Sequence, residues 1–261
     1  MDQQDLGHHI SRQFDEDLSA LRHRVLHMGG MVEAQVERSL RALSDGDERL
    51  AAEVCADDRK INRMEVVLDE ECRRILALRQ PAASDLRLVV ATLKTVTDLE
   101  RIGDEAQKIS EAAARLSEID RNGPVFDRLQ SLGRQVMTMV SGVLDAFARL
   151  DARHAISIAR MDSAIDAQHF TIREDATAAM MELPAAVPMH LDAIWASRSL
   201  ERIGDHVHNV CEHVIFMVYG QDVRHSELAD LDLALAASGA GDDPSVDGPP
   251  QGSRQSPLPT A

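Results

Sequence analysis

Six consecutive residues occur twice in this chain. Leu99-Glu100-Arg101-Ile102-Gly103-Asp104 returns as Leu200-Glu201-Arg202-Ile203-Gly204-Asp205, identical at every position and 101 residues downstream. A fainter echo precedes each copy, Asp58-x-x-Ile61-Asn62 against Asp162-x-x-Ile165-Asp166, 104 residues apart. Near-equal offsets for two separate segments imply duplication of one unit of about 100 residues, and the fold must be built from two similar parts.

The periodicity says what those parts are. Leu18, Leu21, Val25, Met28, Val32, Val36 and Leu40 keep a spacing of three or four, as do Val54, Ile61, Met64, Leu68, Cys72 and Ile75. That is the period of an amphipathic helix. Prolines 81, 124, 184 and 188 fall where the pattern breaks, as helix-ending residues do. Six helices are predicted: 6–43, 47–78, 84–119 with Ser84-Asp85 at its N-cap, 124–150, 152–183 and 186–219. Long helices joined by short turns pack antiparallel. The predicted fold class is therefore all-α, two pseudo-symmetric antiparallel three-helix bundles, spanning 6–120 and 121–224. The segment 225–261 is rich in Gly, Pro, Ser and Asp and is expected to be a disordered tail.

Composition excludes several functions. The chain carries 44 Asp+Glu against 28 Lys+Arg, a net −16, and only 3 % aromatic residues. A nucleic-acid binder needs a basic face, and single-strand readers need aromatic platforms. From Ser238 onward the chain has three Asp and one Arg, so −14 belongs to the part predicted to fold. Cys55, Cys72 and Cys211 are odd in number and widely spaced, which predicts buried thiols in a reducing compartment. The acidic N-terminus has no apolar stretch of a secretory signal, and no uncharged run spans a bilayer. The expected location is the cytoplasm.

The repeated residues carry the chemistry. Glu100 and Asp104 are i,i+4 on one helix face, as are Glu201 and Asp205. Two carboxylates so placed repel unless a cation or a base lies between them. Gly103 and Gly204 sit mid-helix, where each costs about 1 kcal/mol relative to Ala, so something must approach closely there. Asp58 is 23 residues before the turn at Pro81 and Asp104 is 23 after it; Asp162 and Asp205 lie 22 and 21 residues from Pro184. In each half, two oxygen-bearing pairs thus reach equal heights on adjacent helices and can hold a hard cation. The plainer alternative is a pair of solvated acidic faces neutralised by Arg101 and Arg202. The histidines offer no recognised ligand spacing. No Glu-x-x-His, His-Glu-x-x-His, phosphate loop or nucleophile elbow occurs.

The segment Gln80-Pro81-Ala82-Ala83-Ser84-Asp85-Leu86-Arg87, the run Asp98 to Asp104, its repeat at Leu200 to Asp205 followed by His206, and the closing Tyr219-Gly220 resemble the PhoU family of phosphate-specific transport accessory proteins. The likeness covers about 11–222. It implies two symmetric three-helix bundles and a non-enzymatic, negatively acting regulator of phosphate uptake and of the phosphate-starvation response. The implied partners are the ATP-binding subunit of a phosphate ABC transporter, a phosphate-sensing histidine kinase and a second copy in a homodimer. Contact with the membrane would come only through those partners.

The implied metal ligands are Glu100, Asp104, Glu201 and Asp205, with Asp58, Asn62, Asp162 and Asp166 secondary and Fe, Mn, Mg or Zn as the ion. Arg101, Arg202 and Arg87 would pair charges or face a partner. The second half departs from the pattern, reading Pro184-Ala185-Ala186-Val187-Pro188-Met189 where the first has its Pro-Ala-Ala-Ser-Asp-Leu-Arg turn. A metal-dependent helical enzyme or a metal store remains the competing reading of the same carboxylates.

Overall fold

The computed structural model describes residues 3–119 and 121–223. The predicted tail, 225–261, lies outside them. Among the described residues seven α-helices follow in order: α1 Gln3–Asp45, α2 Glu48–Arg79, α3 Ala83–Arg115, α4 Pro124–Arg149, α5 Ala152–Ala159, α6 Asp162–Glu182 and α7 Val187–Tyr219, with a short 3-10 helix at Pro184–Ala186 leading into the last. Among the described residues there is no strand. The fold class is all-α, as the periodicity requires.

Local chemistry sets most boundaries. Asp47 caps α2 by accepting from Leu50 N at 2.9 Å. Gln80 ends it in a left-handed conformation (φ 46°), ahead of Pro81. Gly123 (φ 129°) precedes Pro124 at the first position of α4, where proline's missing N–H costs nothing. Asp151 caps α5 through His154 N at 2.9 Å. Gly220 (φ 71°) closes α7.

Three boundaries differ from the predicted ones. The helix predicted over 152–183 divides at Arg160-Met161. There Met161 N turns back to Ile158 O at 2.9 Å, three residues away, so the chain tightens by one short turn before resuming. No proline or glycine marks that break. The third helix ends at Arg115, because Leu116 and Ser117 close its carboxyl end and the two residues after them run as turn and bend. Ser84 is not its cap: Ala82 holds the cap position, without a side-chain bond, and Asp85 supplies charge in the first turn.

α1, α2 and α3 pack on one another, and α4, α5 and α6 pack on α7. The largest interhelical contact is α3 against α7, so the two repeat-bearing helices meet along the molecule's centre. Their apolar stripes fill the interior: Leu99, Ile102 and Ile109 of α3, and Leu200, Ile203 and Val207 of α7, are at most 1 % exposed. Each such side chain contributes roughly 1.5–3 kcal/mol on burial. Cys72 and Cys211 are buried, as expected, but Cys55 is only part-buried because its thiol lies in the outer seam between α2 and α3, 3.9 Å from Gln107 O. All three are free. No helix among the described residues is long and apolar enough to cross a membrane.

Candidate metal centre

The antiparallel pairing of α2 with α3, and of α6 with α7, sets the carboxylates of each half side by side. The mid-helix glycines provide the space. A Cβ on Gly103 would stand 3.5 Å from Asp58 Oδ1 and 3.3 Å from Gln35 Oε1. A Cβ on Gly204 would stand 3.2 Å from Asp162 Oδ1. An acidic side chain of the neighbouring helix thus comes close to each glycine, joined at Gly103 by the still nearer amide of Gln35.

In the second half, Asp166, Glu201 and Asp205 bring one oxygen each within 4.8 Å of one another; among the described residues this is the group of acidic, His or Cys side chains so arranged. Glu201 is buried and the other two face solvent. Glu201 Oε2 and Asp162 Oδ1 are buried without a hydrogen-bond partner. Leaving a buried carboxylate oxygen bare is costly, and a cation relieves it. Glu201 pairs through its other oxygen with Arg198. Asp162 Oδ2 lies 3.4 Å from His208 Nδ1. Burial, with Asp205 next to it, raises the carboxyl of Glu201 above its ordinary range; burial, with Asp162 and Asp166 near, raises that of Asp205. His208 rises as well, chiefly through its contact with Asp162.

In the first half, the same positions find partners within the chain. Asp58, 4 % exposed, accepts from Gln35 Nε2 at 3.1 Å and from Asn62 Nδ2 at 3.0 Å. Arg101 places Nε 3.5 Å from Glu100 and Nη1 3.6 Å from Asp104. Glu100 Oε2 and Asn62 Oδ1 still lack hydrogen bonds. Burial raises Glu100, with Asp104 and Glu65 adding to it; burial raises Asp104, with Asp58 adding to it.

The repeated arginines diverge. Arg101 stays on its own motif, but Arg202 leaves Glu201 and Asp205 and reaches Glu105 of α3 at 3.1 Å. Arg87 packs against Gly220 at the end of α7, with its Nε buried.

One constellation escaped the sequence. Asp98 Oδ1 lies 2.9 Å from His206 Nδ1 and 3.1 Å from Asn209 Nδ2, and Oδ2 lies 2.9 Å from His213 Nε2. Burial alone would raise the Asp98 carboxyl, but the three donors outweigh it and hold it at about 2. This knot ties α3 to α7 between the halves. The i, i+3, i+7 spacing of His206, Asn209 and His213 was the available signal, yet only the fold supplies their acceptor.

The comparisons with known proteins agree with this architecture. The PhoU domain family matches twice, over residues 25–113 and 129–214. The chain is 49 % identical over 226 residues to the phosphate-specific transport system accessory protein PhoU homolog of Pseudomonas aeruginosa, covering 87 % of this chain and 93 % of that one. It is 44 % identical over 236 residues to the phosphate-specific transport system accessory protein PhoU of Escherichia coli, covering 90 % and 98 %. The crystal structure of PhoU from Pseudomonas aeruginosa superposes with a TM-score of 0.77 at 48 % identity, covering 80 % of this chain and 100 % of that one. That of the phosphate transport system regulatory protein PhoU from Streptococcus pneumoniae does so at 0.75 and 30 %, covering 80 % and 99 %. With its duplicated motif, its all-helical fold and relatives matched along nearly their whole length, the chain belongs to the PhoU family.

Proposed function

We propose that this protein is the accessory regulator of a phosphate-specific transport system, a non-enzymatic cytoplasmic adaptor that restrains phosphate uptake and the phosphate-starvation response. The observation that carries the reading is the near-full-length match to relatives named for that system. In this reading one surface docks the transporter's ATP-binding subunit and another docks a phosphate-sensing histidine kinase, in a protein that acts as a homodimer. Occupancy of either surface then biases the other, reciprocally, because the two binding equilibria share one scaffold.

Two exposed apolar regions support an adaptor with two faces. Val66, Val67 and Leu78 stand out along α2, with Leu78 69 % exposed. Met181, Leu183, Leu191 and Trp195 stand out around the α6–α7 turn, with Trp195 66 % exposed. Side chains of this kind serve as anchors at protein interfaces.

The bare oxygens of the second cluster fit a hard divalent cation or iron. Asp166, Glu201 and Asp205 would hold it, with Asp162 beside them, and Glu100 and Asp104 are the corresponding pair in the first half. The ion would neutralise clustered carboxylates and fasten α6 to α7. The protein's own residues orient those oxygens: Arg198 fixes one oxygen of Glu201, and His208 lies against Asp162.

Deleting the gene from its host tests the regulatory reading. Phosphatase expression is expected to become constitutive in high phosphate and to be restored by the wild-type gene. Normal repression in the deletion strain would overturn it. Trp195→Ala and Val67→Ser are expected to weaken different partners in pull-downs with the ATP-binding subunit and the kinase.

A further inference from the structure

A second concave site is lined by none of the clustered carboxylates. The C-terminal half of α1 and the first turns of α4 enclose a groove of about 320 Å³. That volume falls in the range of small-molecule sites, about 300–1,000 Å³. Its floor is apolar: Leu40, Leu43, Phe126, Leu129 and Met137. Leu43, Phe126 and Leu129 are at most 5 % exposed, so the floor is a fixed part of the packed interior and not a surface accident. Gly133 keeps the helices close: a Cβ there would stand 2.7 Å from Leu40 Cδ2. Gln130 Nε2 reaches Ser44 Oγ at 3.4 Å across the rim.

The rim carries three guanidinium groups. Arg41 and Arg134 are exposed, and neither forms an ion pair with a described residue. Arg121 donates Nη1 to Leu116 O at 2.9 Å. Arg41 and Arg134 therefore set two guanidinium groups, not engaged by a described carboxylate, at the edge of an apolar floor. Glu37 and Asp45 also line the rim, leaving a local balance of +1. That balance favours a single negative charge and disfavours a polyanion such as a nucleotide.

We propose that this groove binds a small amphipathic monoanion, an acyl-chain or aromatic carboxylate whose apolar body lies on Phe126 and Leu129 and whose carboxylate meets Arg41 and Arg134. Such a ligand bridges α1 and α4, the outer helices of the two repeats, and so reports on how the repeats are seated. The proposal is independent of the regulatory reading and of the metal centre.

Calorimetric titration of the full chain with decanoate, kept below its micelle concentration, tests this. Decanol serves as the neutral control. Saturable one-to-one binding is expected, at least tenfold tighter for decanoate than for decanol and weakened by salt. The exposed double variant Arg41→Ala/Arg134→Ala is expected to lose tenfold or more for decanoate and little for decanol. Gln130→Trp fills the mouth and is expected to abolish both. Equal affinity for decanol, an unchanged double variant, or non-saturating uptake would each overturn the proposal. So would a change of oligomeric state on Arg41→Glu seen by sedimentation, which would make the groove an interface between copies. If Gln130→Trp unfolds the chain, the exposed double variant still decides.

Discussion

The two halves carry the same six-residue motif and yet form unlike clusters. In the first half, Asp58 has both oxygens bound to amide donors from Gln35 and Asn62, and Arg101 stands against Glu100 and Asp104. In the second, Asp166 replaces Asn62 and cannot donate as an ionised carboxylate. At the 104-residue offset that relates Asp58 to Asp162, Gln35 becomes Met139, which has no donor at all. Arg202 turns away to Glu105. The second cluster is left with more carboxylates and fewer partners. A repeated motif thus specifies a repeated backbone, while its chemistry is decided by residues outside the motif.

The seam between the halves breaks the symmetry most, and the largest effect is expected there. Asp98 corresponds to Ser199 at the 101-residue offset. Asp98→Ala strands His206, Asn209 and His213 in the α3–α7 contact and should cost about 3 kcal/mol, the scale of breaking a buried charged network. Ser199→Ala removes a small hydroxyl and should stay within about 0.5 kcal/mol. Urea unfolding followed by circular dichroism measures both. Equal losses would mean that the seam is held symmetrically by apolar packing and that the Asp98 knot adds nothing.

Next comes the response to cations. With Mn²⁺ at about 100 times its dissociation constant, a site present only in the folded state adds roughly 2.7 kcal/mol. Glu201→Gln/Asp205→Asn should remove most of the Mn²⁺-dependent rise in melting temperature. Glu100→Gln/Asp104→Asn should leave most of it in place. In the metal-free protein the second pair of substitutions should be neutral or mildly stabilising, because burial first, and the neighbouring carboxylates second, disfavour the ionised groups in the folded state and raise their pKa values. If the first-half variant loses the response equally, the contrast between the clusters is wrong.

Much of this was legible in the sequence, for physical reasons. The helical stretches and most of their approximate ends follow from period and caps, since Asp47, Asp151, Gly123 and Gly220 act locally. The equal heights of the carboxylate pairs follow from counting residues to a turn. What stayed hidden depends on contacts between distant segments. The split of the predicted fifth helix at Met161 has no proline or glycine to announce it. The destination of Arg202 is 97 residues earlier in the chain, at Glu105, and no periodicity points there. His206 and His213 read as scattered polar residues until α3 brings Asp98 between them. Gln35 matters only because α1 lies over the junction of α2 and α3.

The clusters should also be interconvertible. Asn62→Asp/Arg101→Gln gives the first half the acid it lacks and removes its internal cation. The metal-free variant should lose about 1 kcal/mol through added repulsion, and it should gain a second Mn²⁺ equivalent by calorimetry. Wild-type stoichiometry in the variant would show that the amide from Gln35, which it retains, is what closes the first site; adding Gln35→Met then separates the two causes.

The smallest difference is expected at the glycines themselves. Alanine gains about 1 kcal/mol of helix propensity over glycine at a mid-helix position. At Gly103 the new methyl meets Gln35 Oε1 at 3.3 Å, and Gln35 is 3 % exposed and bonded to Asp58, so it has nowhere to retreat. Gly103→Ala should therefore lose the propensity gain and end about 0.5 kcal/mol less stable. At Gly204 the methyl meets Asp162 Oδ1 at 3.2 Å, an oxygen with no hydrogen bond to give up. That carboxylate can swing toward His208, so metal-free Gly204→Ala should be neutral or slightly more stable. With Mn²⁺ bound the order should reverse, because the methyl pushes Asp162 away from the other three carboxylates. Paired denaturation curves with and without Mn²⁺ read the difference, and a Gly204→Ala protein whose cation response matches wild type would remove Asp162 from the site.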